Sequence, residues 1–301
     1  MSSRILATPA MWSIARQRVL DYVELTKPRI SFMALVTVGV GVFVASTGGL
    51  DVLLLVHTLL GTGLLAAGSS VLNQVLERDS DALMRRTQNR PLPAGRVRVS
   101  EALIFGVLLS VTGINYLCVL VNPLTGLLGT ATLALYVFVY TPMKRWTSLN
   151  TLIGAIPGAL PPVMGWAAVR GTLDLEAWTL FLIVFLWQFP HFLAIAWIYR
   201  EDYARAGLKM LPVVDLGGGM TARQMIGYSL ALLPASLGPS VVGLTGTAYF
   251  FGAMWLGLVY IGFALAFAFY VSQSSARNLM RASLLYLPAL LILMIFDLTR
   301  F

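Results

Sequence analysis

Nine apolar runs, near residues 30-50, 52-77, 101-121, 122-140, 149-169, 175-199, 224-243, 247-271 and 282-299, divide this chain almost end to end. Crossing a hydrocarbon core of about 30 Å takes roughly 20 residues of helix, and each run is close to that length. Lipid offers no partner to backbone N–H and C=O groups, so a spanning segment must satisfy them itself, as a helix, or in a closed barrel. The residue-by-residue alternation of a barrel strand is missing from these runs. The sequence therefore reads as an all-α polytopic membrane protein with nine transmembrane helices. With 58% of its residues apolar and only 11% charged, it lies outside the range of soluble globular chains.

The 21 Lys and Arg residues set an orientation. All but Arg170 and Arg300 fall before segment one or in the loops after segments two, four, six and eight. Basic residues stay on the cytoplasmic side, so the amino terminus is expected inside and the carboxyl terminus outside, as an odd number of spans requires. The same bias accounts for the net charge of +8, which in a soluble protein would suggest a nucleic-acid partner; none is expected here. The expected setting is the cytoplasmic (inner) membrane of a bacterium, with membrane lipid as the surrounding medium.

Residues 1-28 hold no apolar stretch long enough for a signal peptide and read as a cytoplasmic amino-terminal segment. The single cysteine, Cys118, excludes an intrachain disulfide and a cysteine metal cluster. No segment outside the membrane is long enough for a separate domain, so residues 1-301 read as one domain. The two longest cytoplasmic loops, about 78-100 and 200-223, follow segments two and six, which suggests related halves delivering polar residues to one cavity. Segment five, with Gly154, Pro157, Gly158, Pro161, Pro162 and Gly165, is expected to bend.

The first polar constellation lies in NQVLERDSDALMRRTQNRPLP. Asn73, Glu77 and Asp81 stand at i, i+4 and i+8, each about 40° round and about 6 Å along a helix from the last. Hard oxygens on one face suit Mg²⁺, which takes few protein ligands and bridges carboxylate to phosphate. The alternative is interfacial pairing with Arg78, Arg85 or Arg86. Asp79 points about 200° away from Glu77 and fits the pairing alternative.

The second constellation is WQFPHFLAIAWIYREDYARAGLKMLP, residues 187-212. Here His191 and Asp202 share a face, and Glu201 and Asp202 follow the apolar helix much as Glu77 and Asp81 follow theirs. A histidine inside a span is a functional candidate, with a hydrogen bond to the fold as the competing reading; His57, alone in segment two, is given the structural role. Two acidic clusters ringed by arginine and lysine beside an apolar cavity suit a polyprenyl diphosphate.

At LTKPRI (25-30), the NQVLERDSD motif, YTPMKR (140-145), the Gly/Pro-rich fifth segment, WQFPHF and YREDYARAG, the chain resembles the UbiA superfamily of intramembrane prenyltransferases. The resemblance covers most of the chain. It implies a nine-helix bundle around a cytoplasm-facing cavity. It also implies Mg²⁺-dependent transfer of a farnesyl group from farnesyl diphosphate to a vinyl group of haem b, with addition of water.

Carried over residue by residue, it implies metal and diphosphate binding at Asn73, Glu77 and Asp81, with Glu77 where relatives often have aspartate. Glu201 and Asp202 form a second metal motif that departs from the family, because Ala206 stands four residues after Asp202. Lys144 and Arg145 would neutralise the leaving diphosphate. Beyond the resemblance, Arg86, Arg90, His191, Tyr199 and Arg200 are candidates to contact substrate, His191 through the haem iron because imidazole is a usual haem ligand, with Arg86 or Arg98 on the haem propionates as the alternative. A haem-pathway membrane protein is an expected partner. Three rivals remain: prenylation of an aromatic or quinone precursor, a transporter, and a haem-binding scaffold without catalysis.

Overall fold

The computed structural model describes residues 9-299; Arg4 and Arg300, which entered the orientation argument, lie outside them. The regular elements of the described chain are all helices. It runs α1 (Pro9–Leu25), α2 (Pro28–Ala45), α3 (Val52–Ala82), α4 (Val99–Leu120), α5 (Pro123–Ala134), a π-helical stretch (Leu135–Tyr140) and α6 (Thr141–Met143). Then follow α7 (Asn150–Arg170), α8 (Leu175–Ile198), α9 (Arg200–Arg205), α10 (Leu211–Val214), α11 (Gly219–Val241), α12 (Thr247–Phe269) and α13 (Gln273–Phe296).

Among the described residues, 8 helical stretches are long and apolar enough to cross a membrane. The chain is an integral membrane protein. The remaining expected span corresponds to α11, which has the length, at 23 residues, but is diluted by Arg223, Gln224 and several Gly, Ser and Pro residues. It packs between α8 and α12.

Side-chain caps start three of the described helices. Asp51 caps α3 by accepting from the Leu54 N–H at 3.0 Å. Asn122 turns the short α4-α5 hairpin: its Oδ1 accepts from the Thr125 N–H at 2.8 Å, and its Nδ2 donates to the Ala167 carbonyl at 2.8 Å. The helix α13 begins well before residue 282, because Ser272 and Ser275 form a reciprocal capping box. Arg277 and Arg281 therefore ride on its first turns instead of in a loop.

The proline-rich α7 is the most enclosed span. It packs on α2, on α8 and on α5. Its approach to α2 depends on two glycines: a Cβ on Gly165 would overlap the Val38 carbonyl, and one on Gly41 would overlap the Pro162 carbonyl. Backbone cannot move aside as a side-chain tip can. Gly165→Ala is expected to destabilise the protein by about 1–3 kcal/mol, the cost of overpacking, visible as a lower unfolding temperature in detergent.

The amino-terminal segment is more than a charged flank. Arg96 gathers it in: its Nε donates to Asp21 Oδ1 and its Nη2 to Glu24 Oε2, both at 2.8 Å, while its Nη1 donates to the Asn89 carbonyl at 2.8 Å. Arg18 bridges to Glu101 at 2.6 Å. These contacts lay α1 across the loop that follows α3 and bury Leu25 against Val71, Leu92, Val97 and Ala102.

Candidate active site

At about 1.5 Å per residue, the 31 residues of α3 outreach a hydrocarbon core of about 30 Å by several turns. Its last turns carry Asn73, Glu77 and Asp81 on one face. Each of the three meets a cation brought by a different element.

Lys27, in the turn between α1 and α2, donates from Nζ to Asn73 Oδ1 at 2.8 Å. Lys144, just after α6, donates to Glu77 Oε1 at 2.7 Å. Arg90, in the following loop, donates from Nη1 to Asp81 Oδ2 at 2.7 Å. Asp81 is 1% exposed, with its own carbonyl accepting from the Thr87 hydroxyl at 2.8 Å. The result is a row of three oxygen-bearing side chains faced by three cations.

The amide of Asn73 is fully oriented. Its Nδ2 donates to Thr141 Oγ1 at 3.0 Å, and the Thr141 hydroxyl donates in turn to the Tyr136 carbonyl at 2.8 Å. The π-helical stretch sets up that relay, because its i→i+5 pattern places Thr141 over the Tyr136 carbonyl, which accepts from both the Thr141 N–H and its hydroxyl. It also brings the Tyr140 ring 4.5 Å from Lys144 Nζ. Lys27 is the one described non-glycine residue with positive φ, at 48°. Holding a side chain there is costly, and such strain persists where the surroundings enforce it.

Burial, followed by repulsion from Arg90, lowers the Lys27 ammonium to about 7. Burial acts against the Lys144 ammonium too, but the Glu77 carboxylate outweighs it and holds that group well above its ordinary value.

Asp79 is 77% exposed on its side chain and pairs with its neighbour Arg78 at 3.0 Å, off the row. A cavity of about 230 Å³ opens beside Glu77, lined also by Leu76, Ser80, Thr141, Pro142, Arg145, Trp146 and Leu208. Arg145 itself is exposed at its rim.

The second constellation reaches the first through the loops. Asp202 Oδ1 accepts from the Arg85 N–H at 3.4 Å and from Arg205 at 3.0 Å. Its neighbour Glu201 is exposed. Arg86 lies 4.7 Å from the Tyr199 ring and 5.5 Å from the Tyr203 ring, and its Nη2 donates to Tyr203 OH at 3.1 Å. Arg200 stacks on Trp197 at 4.3 Å. The Lys209 N–H donates to the Lys144 carbonyl at 2.7 Å, which ties this loop to the cation facing Glu77.

His191 lies apart, inside α8, with Nδ1 2.6 Å from Ser283 Oγ on α13. His57 meets Tyr116 OH at 2.8 Å, the structural role expected of it.

The donors of the row are the hard oxygens that Mg²⁺ prefers, one amide and two carboxylates. No three His, Cys, Asp or Glu side chains converge among the described residues. This fits a cation that takes one or two carboxylates from protein and completes its shell with water and substrate phosphate. It does not fit a closed protein cage. Sequence reasoning left Lys27, Thr141 and Tyr140 out of the site, although all three sit in LTKPRI and YTPMKR; the signal was a lysine before proline at the mouth of a span.

The model of the UbiA prenyltransferase family matches residues 34–288. The protoheme IX farnesyltransferase of Solibacter usitatus is 49% identical over 286 residues, covering 92% of this chain and 98% of that protein. Among solved structures, a digeranylgeranylglyceryl phosphate synthase superimposes with a TM-score of 0.79 at 16% identity, over 93% of this chain and 98% of that one. A UbiA homologue from Archaeoglobus fulgidus bound to GPP and Mg²⁺ superimposes with a TM-score of 0.64 at 17% identity, over 91% of this chain and 99% of that one.

Proposed function

The chain belongs to the UbiA prenyltransferase family, and on that premise we propose that it transfers a farnesyl group from farnesyl diphosphate to a vinyl group of haem b, with addition of water, giving haem O. The substrate pair is supported by the name of the 49% identical relative, protoheme IX farnesyltransferase. The observation that carries the chemistry is the paired row: Lys27, Lys144 and Arg90 standing against Asn73, Glu77 and Asp81. A diphosphate brings negative oxygens into a place where three basic side chains are already positioned and preorganised.

Glu77 and Asp81 are the carboxylates that would hold Mg²⁺, with Asn73 as an amide oxygen and Asp202, beside Glu201, as the contribution of the second motif. When bound, Mg²⁺ supplies charge neutralisation on the diphosphate oxygens. Binding of the diphosphate lets Lys144 and Arg90 exchange carboxylate for phosphate oxygen, and Arg145 adds a further cation at the cavity rim. The allylic C–O bond then ionises, its electron pair leaving with the diphosphate.

The apolar spans keep bulk water from the allylic cation while the vinyl π-bond attacks it, and the Tyr140 ring adds a π-face beside the row. Attack moves the positive charge to the carbon next to the porphyrin ring. Water adds there and loses a proton, so no strong side-chain base is needed. Arg86, Tyr199 and Arg200 are the candidates for binding the charged edges of the substrates, and His191 for contacting the haem iron.

The described helices form one prenyltransferase domain in this reading. It sits in a bacterial inner membrane, amino terminus inside and carboxyl terminus outside, with a haem-pathway membrane protein as its partner.

The test is direct. Purified protein given haem b, farnesyl diphosphate and Mg²⁺ is expected to yield a haem heavier by one farnesyl group and one hydroxyl group in mass spectrometry, and chelator is expected to abolish it. Transfer to a phenolic acceptor with no haem product would keep the prenyl chemistry and overturn the acceptor.

A further inference from the structure

His191 is held by a hydrogen bond whose proton can be assigned by counting. Its Nδ1 lies 2.6 Å from Ser283 Oγ, and that hydroxyl lies 2.6 Å from the Met280 carbonyl one turn earlier on α13. A serine hydroxyl has one proton to give, and a carbonyl can only accept. With that proton committed to Met280, Oγ faces the ring with a lone pair, and the proton between them belongs to Nδ1. A neutral imidazole protonated at Nδ1 has its lone pair on Nε2. The opposite tautomer would require the hydroxyl to leave Met280 and donate to the ring.

The ring is also held in rotation. Trp187 stacks on it, 5.0 Å between centroids and 15° between planes, and the Trp187 indole N–H donates to the Ser283 carbonyl at 2.8 Å. Ser283 thus takes the histidine with its side chain and the tryptophan with its main chain. Nε2 has no hydrogen-bond partner among the described residues. It is also not one of the sealed polar atoms without a partner. It is the open end of an otherwise fixed ring.

We propose that Ser283 is a positioning residue that holds His191 as the Nδ1–H tautomer, so that the Nε2 lone pair is presented to the iron of the haem substrate. This rests on haem b being the acceptor. A histidine that binds metal through one ring nitrogen commonly donates the other N–H to a fixed partner, which sets the tautomer and raises the basicity of the ligand.

The experiment separates the two layers. The chain has 2 histidines, so ¹⁵N-histidine NMR of the full-length haem-free protein, with His57→Gln for assignment, reads the His191 tautomer alone. Nδ1–H is expected in the parent protein, a shift towards Nε2–H in Ser283→Ala, and retention in Ser283→Thr. Haem b is then titrated and followed by absorption. Ser283→Ala is expected to weaken binding by about 10–100-fold, with recovery in Ser283→Thr, and His191→Ala to abolish the nitrogen-ligand signature.

An Nε2–H ring in the parent protein, or a tautomer indifferent to Ser283→Ala, overturns the positioning role. An Nδ1–H ring with a haem spectrum unchanged by His191→Ala overturns the iron contact. A parent protein that binds no haem overturns the acceptor reading itself, and the NMR result then stands apart from it.

Discussion

Asn73→Ala, Glu77→Ala and Asp81→Ala are each expected to lower turnover by about 10²–10³-fold, the range for removing one preorganised charge-stabilising group. Asp79→Ala is expected to change it by no more than about twofold. The contrast comes from geometry: three of these residues share the face of α3 that meets Lys27, Lys144 and Arg90, whereas Asp79 sits in solvent beside Arg78. Because Glu77→Ala and Asp81→Ala each leave a cation without its carboxylate, unfolding temperature is measured beside turnover, and Glu77→Gln keeps the volume. An equal loss at all four positions, with folding intact, would show that the face of α3 does not organise the chemistry.

The second large effect is expected at Lys144. Its ammonium and the Glu77 carboxylate are 2.7 Å apart, with side chains only 14% and 12% exposed. Removing one member of a buried pair strands the other charge, which typically costs about 3–5 kcal/mol. Lys144→Met should therefore lose stability and turnover together.

The double variant Lys144→Met with Glu77→Gln should recover most of the stability, because no charge is left stranded, while turnover stays low for want of both groups. Thermal unfolding in detergent and the haem-product assay read these separately. A double variant that regained activity would remove Lys144 and Glu77 from the reaction.

How much of this was legible beforehand varied with the range of the interaction. Spans such as 52-77 and 175-199 were read to within a few residues because apolar length is a local property set by the thickness of the bilayer. The apolar run of α3 stops at 77 whereas the helix goes on to Ala82, as the helical spacing of Glu77 and Asp81 requires; polar side chains end an apolar run without ending the helix. The start of α13 was missed for the same reason: Gln273 to Arg281 is polar, yet a serine capping box starts the helix there. Along α11, polar residues dilute the signal that length alone would give.

The site divides in the same way. That Asn73, Glu77 and Asp81 share a face follows from 3.6 residues per turn, and so does the exclusion of Asp79. Which cation meets each oxygen does not follow. Lys27 reaches Asn73 across 46 residues of chain and Lys144 reaches Glu77 across 67, pairings that depend on how α2 and α6 pack against α3. Between Glu201 and Asp202 the residues alone offered no choice; the packed loops turn Asp202 towards Arg85 and leave Glu201 in solvent.

The amino-acid sequence by itself determined that this chain crosses a membrane as helices, and that one face of the second span carries three oxygen-bearing side chains, because apolar length and helical spacing are both properties of a single segment. Only the tertiary structure decided that each of those oxygens has its own basic partner, that α1 is drawn in by Arg96, and that Ser283 meets the ring of His191. Those contacts join residues far apart in the chain, and their partners are selected by which helices pack together, which no local pattern encodes.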